Sequence, residues 1–84
     1  MYKLQIFPKA RNSIKKLPKN HQRAIIVALR EIRENPYLGK PLKEKLTGSR
    51  SFRVGVYRII YRISKKDRIV KVSNAGHRST IYKS

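Results

Sequence analysis

The stretch Ser51-Phe52-Arg53-Val54-Gly55-Val56-Tyr57-Arg58-Ile59-Ile60-Tyr61-Arg62-Ile63 decides the fold. It alternates apolar and polar residues with period two, the signature of a strand with one buried face. Tyr57, Ile59, Tyr61 and Ile63 share one face, and Arg58 and Arg62 share the other. Gly55 divides the stretch into two strands, residues 51–54 and 57–63. Ser64-Lys65-Lys66-Asp67 separates them from a third, residues 69–74. Connections this short join antiparallel neighbours.

Upstream, residues 2–7 alternate Tyr2, Leu4 and Ile6 against Lys3 and Gln5, a first strand ended by Pro8. The period then becomes helical. Ala10, Ile14 and Leu17 predict a short helix, and Pro18 separates it from a longer one over residues 20–34. There Ile25, Ala28, Leu29 and Ile32 form the apolar stripe, with Arg23, Arg30 and Arg33 outside it. Asn35-Pro36 ends that helix. With so short a link, the two helices fold back as a hairpin. Residues 37–48 read as a loop punctuated by Gly39, Pro41 and Gly48, and a last extended piece is expected at residues 80–82. The order βααβββ predicts an α+β fold, with a helical hairpin on one face of a small antiparallel sheet. Residues 1–84 are expected to form one domain, and the mature protein is expected to be the whole chain.

The formal net charge is +18, from 22 Lys and Arg against 4 Asp and Glu. Residues 1–42 carry +8 and residues 43–84 carry +10, so the charge covers the whole fold and is not a basic tail. Ordinary solubility needs a net charge of only about 2–8. The excess points to a polyanionic partner: RNA, DNA, an acidic protein or an anionic membrane.

Carboxylates exclude more chemistry than any other residue type. The four are Glu31, Glu34, Glu44 and Asp67, dispersed over a helix and loops. A two-metal nuclease needs several converging carboxylates, and a glycosidase needs a facing pair. With two histidines and no cysteine, neither a zinc site nor a disulfide is expected, and no cofactor is implied. The lack of cysteine fits a cytoplasmic location. No run approaches the roughly 18–20 apolar residues of a membrane helix.

What remains is acid–base and electrostatic chemistry by Arg, Lys, His and Tyr. RNA is open to it, because its own 2′-hydroxyl can attack the neighbouring phosphate. Guanidinium groups bind the crowded phosphorane bidentately and stay charged. Arg53, Arg58, His77, Arg78 and Tyr82 are the candidate catalytic residues. Lys43, Lys45, Arg50 and Arg62 are the candidate RNA-binding residues. His77 reads equally as an acid–base group or a packing histidine. Tyr82 reads equally as a stacking platform or a packing residue. Tyr57 and Tyr61 fall on the apolar beat and read as core, and His21 is given no role.

These residues carry a resemblance. Phe52-Arg53-Val54-Gly55-Val56-Tyr57-Arg58-Ile59-Ile60-Tyr61 and Gly76-His77-Arg78-Ser79-Thr80-Ile81-Tyr82 resemble the paired motifs of the RelE/ParE superfamily of type II toxins. Phe7-Pro8-Lys9-Ala10, Leu17-Pro18-Lys19, Glu34-Asn35-Pro36, Pro41-Leu42-Lys43 and Leu46-Thr47-Gly48 extend it over essentially the whole chain. The resemblance implies a metal-independent, ribosome-dependent endoribonuclease that cleaves mRNA and leaves a 2′,3′-cyclic phosphate. It implies that Arg58 holds the scissile phosphate and Arg78 stabilises the transition state. It also implies that Arg53 is one of two basic positions on the preceding strand, and that Tyr82 stacks on or acts near the cleaved nucleotide. His77 resembles a position that is basic in several members.

The second basic position on that strand is Ser51 here, beside Arg50. Lys40 stands where some relatives use a glutamate before the Pro-Leu-Lys segment. Lys43, Lys45, Arg50 and His77 are then the alternatives for proton transfer. The resemblance further implies a cognate antitoxin with an acidic toxin-binding segment, alongside mRNA and the ribosome as partners, and no membrane. Two other readings stay open: a ParE-like toxin that inhibits DNA gyrase, and a non-catalytic RNA- or ribosome-binding module.

Overall fold

A computed structural model describes residues 2–77. The expected extended piece at residues 80–82 lies outside them, as do Arg78 and Tyr82. The described chain runs β1 (Lys3–Ile6), α1 (Pro8–Lys15), α2 (Lys19–Glu34), β2 (Lys40–Pro41), β3 (Arg50–Val54), β4 (Tyr57–Ser64) and β5 (Ile69–His77). Single 3₁₀ turns at Pro36–Leu38 and Glu44–Leu46 flank β2.

Pro8 opens α1, where a missing N–H costs nothing, and Phe7 before it is extended. Ala10 is the buried residue of α1. Its small side chain lets the helix lie close on the sheet. Pro18 precedes α2, and the Gln22 amide reaches back to the Leu17 and Lys15 carbonyls at 2.7 and 3.1 Å. That bond pair satisfies carbonyls left open where α1 ends and fixes the hairpin. Ile25, Ala28, Leu29 and Ile32 are the buried stripe of α2, at the expected positions.

The sheet has five strands in the order β1-β5-β4-β3-β2. The α+β class and the helical hairpin on one face are as expected, but the sheet is mixed. β1 joins the edge parallel to β5, with Leu4 opposite Val70 and Ile6 opposite Val72. The helical hairpin lies between β1 and the remaining strands in the chain, so β1 is free to add at the far edge beside the last strand. β2 lies inside the stretch expected to be loop. Its two residues pair with β3, Lys40 with Ser51 and Pro41 with Arg50.

The β3–β4 hairpin turns through Gly55-Val56, and Gly55 takes the left-handed φ of +60° that a two-residue turn demands. β4 and β5 pair regularly from Ser64–Ile69 up to Tyr61–Val72. A β-bulge follows, and Ile60 pairs with Asn74, leaving Ser73 as the extra residue. The Ser73 hydroxyl donates to the Ile60 carbonyl at 3.3 Å.

The core joins Ala10, Ile25, Ala28, Leu29 and Ile32 of the helices to Ile59, Tyr61, Val70, Val72 and Ala75 of the sheet. Among the described residues, no helix is long and apolar enough to cross a membrane.

Candidate nucleic-acid interface

The helices cover one face of the sheet. Cross-strand partners share a face, so the register identifies what the other face carries. Lys3, Lys71 and Arg62 lie on it at one end. Arg53, Arg58 and Gly76 form one row across β3, β4 and β5. Lys40, Ser51, Ile60 and Asn74 form the next. Among the described residues six cations thus share this face, and no strand position holds a carboxylate.

Arg53 and Arg58 are directly opposed. Like charges at such a pair cost a few tenths to about 1 kcal/mol, which a bound anion would relieve. The Arg58 Nη1 also approaches the Ser51 hydroxyl at 3.5 Å. Leu38, Lys40, Ser51, Phe52, Arg53 and Arg58 line an open concavity of about 250 Å³. Ile60, the apolar residue on this beat, is only 4% exposed and lies between Ser51 and Asn74.

The bulge at Ser73 creates this arrangement. With the register unbroken, Ala75 would oppose Arg58. The shift places Gly76 there, and a Cβ added to Gly76 would meet nothing within 4 Å. It also turns Ala75 into the core, where it is 1% exposed. The residue opposite Arg58 on β5 therefore has no side chain.

The same shift turns His77 to the helix side. It pairs with Tyr57, their rings meeting edge-on at 6.0 Å, and His21 of α2 meets the same tyrosine at 5.0 Å. The structure therefore brings Arg53 and Arg58 together but not His77, which stands on the opposite face.

Arg50 also departs from the site face. It alternates with Ser51, so it faces the helix side, where its Nη1 donates to the Gly39 carbonyl at 2.7 Å and its guanidinium stacks on Tyr37 at 4.9 Å. Arg62 lies on the site face but serves the adjoining loop. Its Nη2 donates to the Thr47 carbonyl at 3.4 Å, and a Cβ at Gly48 would come within 2.8 Å of its Nη1. Lys43 and Lys45 are exposed in that loop and do not line the concavity.

Sequence reasoning left Lys40 out of the site, although β2 carries it there. Its position depends on a clamp around Gly39. The Tyr61 hydroxyl accepts from the Gly39 N–H at 2.9 Å and donates to the Pro36 carbonyl at 2.6 Å, while Arg50 holds the Gly39 carbonyl. A Cβ at Gly39 would collide with the Tyr61 hydroxyl. Tyr61 is fully buried, and that desolvation raises its pKa above the ordinary tyrosine value despite the Gly39 hydrogen bond and the Arg50 charge. The fixed backbone at Gly39 delivers the next residue, Lys40, to the rim of the concavity.

Comparison with known proteins gives one answer throughout. The family model for the ParE toxin of type II toxin–antitoxin systems matches residues 4–82. Toxin RelG of Mycobacterium tuberculosis is 33% identical over 84 residues, covering 98% of this chain and 97% of the relative. A chain of the toxin–antitoxin complex RelBE2 from Mycobacterium tuberculosis superposes with a TM-score of 0.86 at 32% identity, covering 92% of this chain and 98% of that one. A chain of the archaeal RelE–RelB complex from Pyrococcus horikoshii superposes with a TM-score of 0.75 at 25% identity, over 92% and 94% of the two chains. A full-length family match and a fold shared with these toxins agree with the paired arginine motifs, and the chain belongs to the RelE/ParE family of toxins of type II toxin–antitoxin systems.

Proposed function

We propose that this toxin is a ribosome-dependent endoribonuclease that cleaves mRNA in the cytoplasm by attack of the 2′-hydroxyl on the adjacent phosphate, and that an antitoxin with an acidic segment neutralises it. The observation that carries the reading is the opposed pair Arg53 and Arg58 at an open concavity, on a sheet face whose described strand positions hold six cations and no carboxylate. Arg58, half-buried and braced near Ser51, holds a non-bridging phosphate oxygen. Arg53, exposed and opposite, stabilises the charge that builds as the phosphorane forms. Gly76, opposite Arg58, carries no side chain to crowd the sugar–phosphate chain there. Arg78 follows β5 immediately and supplies a further transition-state contact, with Tyr82 as the stacking platform.

The test is brief synthesis in a bacterial translation extract, with mRNA 5′ ends mapped by primer extension. Cuts at codon positions on translated message, ending in a 2′,3′-cyclic phosphate, are expected. Arg58→Ala should slow them by about 10²-fold or more, the cost of losing one preorganised donor to a developing oxyanion. Intact message with the wild-type protein, followed by loss of supercoiling in a gyrase assay, would replace this reading with gyrase inhibition.

A further inference from the structure

Three of the six residues lining the concavity are cationic, and they differ in one respect that decides the chemistry. Arg53 and Arg58 suit phosphate binding, but a guanidinium is not a proton donor in catalysis. Leu38 and Phe52 have nothing to transfer, and Ser51 is 5% exposed with its hydroxyl toward Arg58. His77, the histidine nearest in sequence to the arginine row, is turned to the other face by the bulge. Glu31, Glu34, Glu44 and Asp67 line no part of the concavity. Among the described residues Lys40 is left as the lining side chain whose ammonium can both contact a phosphate and donate a proton. It stands on the edge strand, opposite Ser51 and one row from the arginine pair, on a backbone held by Tyr61 and Arg50.

We infer that Lys40 is a catalytic residue of this toxin, donating a proton from its ammonium to the departing 5′-oxygen. The inference rests on the ribonuclease reading above. The 2′-oxygen forms a bond to phosphorus as the bond from phosphorus to the 5′-oxygen breaks, its electron pair passing to that oxygen. The Lys40 Nζ proton moves to the same oxygen, and the 5′-hydroxyl leaves. The proton of the attacking 2′-hydroxyl passes to water, and water returns a proton to the lysine amine. The products are a 2′,3′-cyclic phosphate and a 5′-hydroxyl, with no net consumption of protons.

The experiment compares wild type, Lys40→Arg and Lys40→Met on ribosomes programmed with two messages. One is natural. In the other the bridging 5′-oxygen at the cut is sulfur, which departs as a thiolate without needing a proton. Far-ultraviolet circular dichroism melts establish that each variant is folded, and the exposed position of Lys40 favours that. On natural message, Lys40→Arg should retain the charge yet cleave about 10²-fold or more slowly, the usual worth of general acid catalysis. On the sulfur message, both variants should recover to within a few-fold of wild type. Wild-type cleavage of natural message by Lys40→Arg would overturn the assignment and leave the ribonuclease standing. So would an equal loss on both messages, which would mark Lys40 as a phosphate contact only. Failure of the wild-type protein to cut either message would overturn the ribonuclease reading and this inference with it.

Discussion

Tyr61→Phe removes one oxygen atom from the middle of the sheet. The hydroxyl accepts from the Gly39 N–H and donates to the Pro36 carbonyl, both on buried residues. Phenylalanine fills nearly the same volume, so no cavity term arises. What is lost is two hydrogen bonds, and a buried donor and a buried acceptor are left without them. Each such group costs about 1–3 kcal/mol, so a loss of about 2–6 kcal/mol is expected for the two. For a domain of this size Tm falls by roughly 4–8 °C for each kcal/mol lost.

The pH dependence adds an independent check. Burial raises the Tyr61 pKa in the folded protein above its unfolded value of about 10. The folded state therefore retains this proton where the unfolded state has lost it. The stabilising contribution is complete below about pH 10 and is lost as pH rises from there through the folded pKa. The gap in stability between wild type and Tyr61→Phe should accordingly be constant from pH 6 to 9 and narrow above about pH 10. Groups common to the two proteins drop out of the difference. Urea titrations monitored by circular dichroism at each pH measure the gap. Equal stability of the two proteins at pH 7, or a gap that widens above pH 10, would refute the clamp.

Gln22→Ala should cost about 1–2 kcal/mol in the same urea assay, because its amide serves the Leu17 and Lys15 carbonyls at the turn between the helices; an unchanged midpoint would show that water serves those carbonyls equally well. Binding of single-stranded RNA should weaken steeply with salt, and Arg53→Gln should lower the slope of log affinity against log salt by about 0.7, one phosphate contact on a single strand. Fluorescence anisotropy from 50 to 300 mM salt reads both slopes, and identical slopes would remove Arg53 from the phosphate path.

The helices and the strand faces were legible in the sequence because both depend on periodicity within a few residues. Ile25, Ala28, Leu29 and Ile32 are buried, as their spacing required. Tyr57, Ile59, Tyr61 and Ile63 pack toward the core while Arg58 and Arg62 do not. The alternation predicts a β5 that ends at Asn74, three residues early, because it fails at Ser73-Asn74. That failure was the bulge itself, and a broken pattern looks the same as a strand end. The strand β2 leaves no mark in the sequence, because two residues carry no period at all.

The charge and the scarcity of carboxylates, visible in the chain alone, narrowed the chemistry to cation-assisted handling of a polyanion. The arginines Arg53 and Arg58 could be named from their alternation. That they stand opposite each other depends on the Gly55 turn, whose two-residue length pairs Val54 with Tyr57 and hence Arg53 with Arg58. The placement of Arg50, His77 and Lys40 could not be inferred this way. Arg50 and Ser51 are adjacent and differ only in which face they take, and His77 changes face with a single unpaired residue in β5. Lys40 reaches the site because a phenol 22 positions away in the chain holds the preceding glycine. Local periodicity determines which residues face inward within an element. Register and long-range hydrogen bonds join residues far apart in sequence, and only the folded sheet decides which of the outward cations meet.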